Sequence, residues 1–228
     1  MQRLTRLLPN KPMALFVKIC GICSGSDLGQ ISAFQPDALG FIQWPKSKRY
    51  VAPETVGQWE TPEGIRRVGV FVAPDEAELA HAAQHGRFDV LQVHRVSSGW
   101  KLDRDLFQGV EIWRALNPDE LYFDESGFRY DRYLLDSYDP KTVGGTGKAC
   151  DWEKARSLVG SLETPILLAG GLTPDNVAEA IEQVRPWGVD VSSGVETEPG
   201  VKDIAKVKAF IAACRGFNRK PETGNQQS

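Results

Sequence analysis

The chain is short of cysteine, of long apolar runs and of any strong excess of charge, and each shortage removes a class of function. Its four cysteines, at positions 20, 23, 150 and 214 of 228 residues, are too few for a disulfide framework and fit a reducing, cytoplasmic setting. Cys20 and Cys23 make a lone C-x-x-C. Structural zinc needs two further ligands, and Cys150, Cys214, His81, His85 and His94 supply none at a matching spacing, so no metal is expected. No apolar run approaches the roughly 18 to 20 residues of a membrane span, which excludes a membrane partner. The start, Met1 to Pro12, is interrupted by Pro9, Asn10, Lys11 and Pro12 and lacks the apolar core of about 7 to 15 residues that a secretory signal needs. A formal net charge of −3 gives no basic surface for nucleic acid. A soluble protein acting on a small molecule, as monomer or homodimer, is the class that remains.

What is present is core material. Apolar residues make up 41% and charged residues 25%, an ordinary globular balance. Residues 1–12 are expected to be a disordered extension, 13–216 the catalytic domain and 217–228 a polar tail. Within the domain, short β-branched or aromatic runs alternate with amphipathic stretches, the pattern of parallel strands with crossover helices. Strands are predicted at Leu15 to Cys20, Ala38 to Gln43, Arg67 to Phe71, Asp89 to His94, Glu111 to Ala115, Tyr133 to Asp136, Pro165 to Ala169 and Gly188 to Ser192. Helices are predicted at Asp27 to Phe34, Asp75 to His85, Trp152 to Gly160, Pro174 to Gln183 and Asp203 to Ala213. Start signals accompany three of them: Ser26 before Asp27, Pro74 before an acidic turn, and Thr173 with Pro174 at the first helical position. The fifth unit, over 117–129, is the least regular. Eight βα units of roughly 25 residues make a single (β/α)₈ barrel, with a doubly wound open sheet as the alternative. Polar or glycine-rich residues end nearly every strand, and that favours the barrel, whose chemistry collects there.

The strand-end residues are the candidates for chemistry. Along Val17-Lys18-Ile19-Cys20, alternation puts Lys18 and Cys20 on one face, where a cation favours the thiolate that serves as base or nucleophile. A small buried cysteine that merely packs is the plain alternative. Asp136 follows Leu134-Leu135, apolar neighbours that can raise a carboxyl pKa and keep a proton available. The stretch Gly144 to Lys148 is no Walker loop, because Ala149 replaces the Ser/Thr and no glycine stands five before Gly147. It reads as a loop over substrate or as a plain turn. Two glycine turns, at Gly170-Gly171 and Ser192-Ser193-Gly194, follow the last two strands, where barrels bind phosphate through backbone N–H groups. Lys46, Lys48 and Arg49 follow the second strand, and one arginine there would suit a bidentate pair with a substrate carboxylate, with His94 close by.

In order, the motifs K-I-C-G-I at 18–22, G-F-I-x-W-P-K-S-x-R-Y-V at 40–51, L-Q-V-H at 91–94, L-L-D-S at 134–137, G-G-T-G-K at 144–148, D-W at 151–152, A-G-G-L-T-P-x-N-V at 169–177 and V-D-V-S-S-G-V-E at 189–196 resemble the phosphoribosylanthranilate isomerase family, over about residues 14–214. The resemblance implies an Amadori rearrangement of N-(5'-phosphoribosyl)anthranilate in tryptophan biosynthesis, without cofactor or metal. It implies Asp136 as general acid, Cys20 as general base and Arg49 on the anthranilate carboxylate, with His94 nearby. Gly170, Gly171, Ser192, Ser193 and Gly194 are implied around the phosphate, and Asp190 close to the substrate. Three positions depart from the family's habit: Gln43 where an apolar residue is usual, Lys48 where proline is frequent, and Arg95 where glycine is common. Another phosphate-binding barrel, such as indole-glycerol-phosphate synthase or a histidine-pathway aminoaldose isomerase, is the nearest competing enzyme; the latter typically ends its first strand in aspartate where this chain has Cys20. A catalytically silent sugar-phosphate binder is the competitor of another class, and it has no need of an acid–base pair.

Overall fold

Eight parallel strands close on themselves in chain order in the computed structural model, which describes residues 15–97, 99–117, 128–136 and 151–217. They are β1 (Phe16–Cys20), β2 (Ala38–Ile42), β3 (Arg66–Val72), β4 (Val90–His94), β5 (Glu111–Leu116), β6 (Arg132–Leu135), β7 (Ile166–Leu168) and β8 (Gly188–Val191). Closure is made by β1 pairing with β8, Lys18 standing opposite Asp190. The single (β/α)₈ barrel is therefore the architecture, and the open sheet is set aside. Each predicted strand is found, with no end moved by more than one residue. The extension over 1–12 and the Gly144–Lys148 loop lie outside the described residues, as does the tail apart from Phe217, which packs against the core.

The outer layer is α1 (Gly25–Ser32), α2 (Pro53–Gln58), α3 (Glu76–Gly86), α4 (Trp152–Ser161), α5 (Val177–Val184) and α6 (Ile204–Arg215). Two helix starts differ from expectation. Ser24, not Ser26, caps α1: its hydroxyl accepts the Asp27 N–H at 3.0 Å, the reach of a cap to the third helical residue. Asn176, not Thr173, stands at the start of α5. Its Oδ1 accepts the Thr173 N–H at 2.8 Å and its Nδ2 donates to the Gly171 carbonyl at 2.9 Å, folding 173–176 into a turn, so Pro174 precedes the helix. Helix α2 and an antiparallel hairpin, β9 (Glu196–Glu198) with β10 (Val201–Lys202), were not anticipated. Between β4 and β5 a 3₁₀ turn, Arg104–Phe107, stands where six other units place an α-helix.

Alternation along the strands sorts side chains into two apolar layers. Val17, Ile19, Leu39, Phe41, Phe71, Leu91, Val93, Ile112, Leu135, Leu168 and Val189 face outward and pack under the helices. Cys20, Ala38, Val68, Val70, Val90, Trp113, Ala115, Leu134, Leu167 and Ala169 fill the barrel's interior. Phe16 and Trp187 pack against this inner cluster near the N-terminal ends of the strands, their rings stacked at 4.4 Å between centroids. This end of the barrel is plugged by aromatics, which leaves the C-terminal ends as the open mouth.

Candidate active site

The inner-facing parity that fills the core also carries polar groups upward to the mouth. Lys18 and Cys20 share the inner face of β1. On β4 and β8 the same parity selects Gln92 with His94 and Asp190 with Ser192, and on β6 it carries from Leu134 to Asp136. Asp136 stands just past the end of β6, its N–H donating to the Leu116 carbonyl at 3.1 Å. The sequence-predicted Cys20, His94, Asp136 and Asp190 are thus brought to one end of one barrel. Room for the thiol comes from Gly40 on β2: a Cβ there would stand 2.8 Å from the Cys20 Sγ, closer than real Cβ atoms approach.

Two ion pairs organise this end. Lys18 is fully buried and its Nζ donates to Asp190 Oδ1 at 2.9 Å. Burial pulls the Lys18 pKa down, but Asp190 and Cys20 more than offset it, so the ammonium is held charged. For Cys20 the balance is reversed. Burial pushes the thiol up, and the opposing pull of Lys18 does not overcome it. The expectation that Lys18 would favour the thiolate is therefore corrected: its influence has the predicted sign but loses to desolvation. Burial first, then the charges of Lys18 and Arg95, hold the His94 pKa at about 3, so its imidazole is neutral. Gln92 Nε2 meets His94 Nε2 at 2.8 Å; because an amide nitrogen only donates, Nε2 accepts and the ring hydrogen sits on Nδ1.

The second pair joins the β2 loop to the hairpin that the sequence did not reveal. Arg49 clasps Glu196 with both Nε (2.8 Å to Oε1) and Nη2 (2.6 Å to Oε2). Lys202 Nζ adds bonds to Glu196 Oε1 at 2.9 Å and to the Ser192 carbonyl at 3.0 Å. Burial raises the Glu196 pKa, and the hydrogen bonds and charges of Arg49 and Lys202 outweigh it and bring it below the carboxylate range. The bidentate partner of Arg49 is thus Glu196; its Nη1 makes no hydrogen bond among the described residues. Glu196 and Lys202 had one sequence signal, the Glu198-Pro199-Gly200 turn between them, with Gly200 at φ +93°.

The glycine turns after β7 and β8 lie against each other. A Cβ on Gly194 would collide with the Leu172 carbonyl, and Gly170 and Gly171 hold φ of +81° and +67°, the left-handed region that favours glycine. Among the described residues, the N–H groups of Gly171, Ser193 and Gly194 donate to no protein acceptor, and the buried Ser192 Oγ has no partner. Of the three departures, Gln43 is buried with its Nε2 donating to the Val51 carbonyl at 3.1 Å, which ties down the β2 loop. Arg95 takes φ +54°, a left-handed conformation, and there a glycine is the residue expected. Lys48 lies in a turn on the way to Arg49.

Polar and acid–base groups gathered at the C-terminal strand ends of a closed eight-stranded barrel define the chain as a (β/α)₈-barrel enzyme. A family model described as N-(5'-phosphoribosyl)anthranilate (PRA) isomerase matches residues 17–213. The chain belongs to the phosphoribosylanthranilate isomerase family. The N-(5'-phosphoribosyl)anthranilate isomerase of Geotalea uraniireducens (strain Rf4) is 42% identical over 203 residues, covering 88% of this chain and 98% of that protein. Among solved structures, the phosphoribosyl anthranilate isomerase of Thermotoga maritima superposes with a TM-score of 0.76 at 33% identity, over 89% of this chain and all (100%) of that one. A phosphoribosyl anthranilate isomerase in complex with reduced 1-(o-carboxyphenylamino)-1-deoxyribulose 5-phosphate superposes at 0.72 with 31% identity, over 89% and 100% of the two chains.

Proposed function

We propose that this barrel converts N-(5'-phosphoribosyl)anthranilate to 1-(2-carboxyphenylamino)-1-deoxyribulose 5-phosphate, with Asp136 as acid and Cys20 as base. The observation that carries the reading is that these two groups, on strands distant in sequence, share the inner face at one end of the barrel. Asp136 delivers a proton to the ribose ring oxygen, the C1'–O bond breaks, and the nitrogen lone pair forms the protonated Schiff base. Cys20 removes the C2' proton in its thiolate form, the less populated form, which Lys18 favours against the burial that raises the thiol, and the electrons move to give an enolamine that tautomerises to the ketone.

Around this pair the other residues divide the substrate between them. The N–H groups of Gly171, Ser193 and Gly194, with Gly170 and the Ser192 hydroxyl, take the phosphate; the support is that those three N–H groups and the hydroxyl have no protein partner among the described residues. Arg49 meets the anthranilate carboxylate with Nη1 while Glu196 fixes the rest of its guanidinium. Neutral His94 lines the same mouth, and Asp190 serves the reaction by holding Lys18 beside Cys20. The enzyme works in the cytoplasm as monomer or homodimer; a relative from Thermotoga maritima is dimeric.

The test is turnover. Purified protein is expected to abolish the fluorescence of N-(5'-phosphoribosyl)anthranilate, and Asp136→Asn is expected to lower kcat by about 10²- to 10⁴-fold, the contribution of a positioned proton donor. A wild-type protein that binds the substrate without converting it would favour the silent-binder reading.

A further inference from the structure

Away from the mouth, on the outer surface, helices α2 and α3 bring Glu54, His81 and His85 together. Each offers one ligand atom, and the three atoms lie within 4.8 Å of one another. His81 and His85 are one helical turn apart, on the same face of α3, with ring centroids 4.3 Å apart. Glu54 reaches them from the first turn of α2, its Oε1 at 2.6 Å from His81 Nε2.

We propose that Glu54, His81 and His85 form a surface site for a divalent transition-metal ion of the zinc type, which clasps α2 to α3 and has no part in the isomerase reaction. Two imidazoles and a carboxylate are a donor set suited to zinc, with water completing a tetrahedron. The His85 ring is already oriented: its Nδ1 lies 2.8 Å from the His81 carbonyl, an atom that only accepts, so Nδ1 carries the hydrogen and Nε2 presents its lone pair. The helix-to-helix distance is fixed as well. A Cβ on Gly57 of α2 would collide with the His85 carbonyl, so the two backbones touch directly beside the cluster. Ligand atoms at zinc distances of about 2.0 to 2.2 Å stand about 3.3 Å apart in a tetrahedron, and the side chains of Glu54 and His81 are exposed and so have room to rotate into that spacing. Its carboxyl is held below the usual range by a backbone hydrogen bond at its own residue and then by His81, so it is ionised for the role.

The experiment is a titration of the untagged full chain with zinc chloride, by calorimetry and by thermal melting. One zinc per chain is expected. At a concentration about a hundredfold above Kd, Tm should rise by roughly 5 to 10 °C. His81→Gln and His85→Gln should each weaken binding at least about tenfold, remove the shift in Tm and leave both the metal-free Tm and the isomerase rate as in the wild type. Glu54→Gln, which keeps its side-chain size, is the third variant and should weaken binding alike. The proposal is overturned if no stoichiometric binding occurs, if binding survives both histidine substitutions, or if it is lost in Cys23→Ser and retained in His81→Gln.

Discussion

Lys18 is fully buried and bonds the carboxylate of Asp190 across the barrel seam, at 2.9 Å. A buried ion pair is weak evidence of net stabilisation, but removing one partner strands the other charge in a low dielectric. Asp190→Asn is therefore expected to cost about 3 to 5 kcal/mol in urea unfolding; a change below about 1 kcal/mol, the range of exposed pairs, would show that the pair is solvated in solution. The same environment explains why the residue-level reading of Cys20 was half right. The neighbouring cation was legible from alternation along Val17 to Cys20, whereas the depth of burial that outweighs it depends on Gly40 and Ala38 of the next strand. Arg49 repeats the point: its position was legible, but Glu196, 147 residues away, was not.

Strands and helices were legible where local signals are strong and blurred where side chains from elsewhere set the ends. Three aspartates just before even-numbered strands show such a device. Asp37, Asp89 and Asp131 each accept, through Oδ2, the N–H of a residue near the start of the preceding strand: Val17 at 2.8 Å, Arg67 at 2.7 Å and Ile112 at 2.7 Å. Each fastens one pair of neighbouring strands at the plugged end of the barrel, so they serve stability and not chemistry. Asp89→Ala should leave the Arg67 N–H without its acceptor and cost about 1 to 3 kcal/mol, with kcat unchanged. Loss of kcat at unchanged stability would instead tie this end of the barrel to the reaction. Helix α2 went unread although Pro53 and Glu54 are a sound helix start, because at six residues it is too short to show an apolar period. The β9–β10 hairpin escaped for the same reason, its strands being three and two residues long.

For the molecule as a whole, eight repeats of one pattern made the closed barrel readable, since no edge strand is left over once β1 meets β8. Its mouth also couples the fold to pH. The His94 pKa is about 3 in the folded chain against 6.5 for an ordinary histidine. Between those values the unfolded chain binds a proton that the folded one refuses, so this residue's contribution is present above pH 6.5 and is lost as pH falls towards 3. His94→Gln should reduce the drop in urea midpoint between pH 7 and pH 4.5; an equal drop in both proteins would place the acid sensitivity elsewhere. 

The proposed reaction needs a thiol and a carboxyl on different strands of the barrel mouth to act as one acid–base pair. Its most direct test is the rate of loss of N-(5'-phosphoribosyl)anthranilate fluorescence in wild type and Cys20→Ala at equal concentration, with the melting temperature of each measured alongside. The prediction is a fall in kcat of about 10²-fold or more with Tm almost unchanged, because Cys20 lies at the mouth end of the inner cluster. Turnover in Cys20→Ala at the wild-type rate would contradict the assignment of Cys20 as the base.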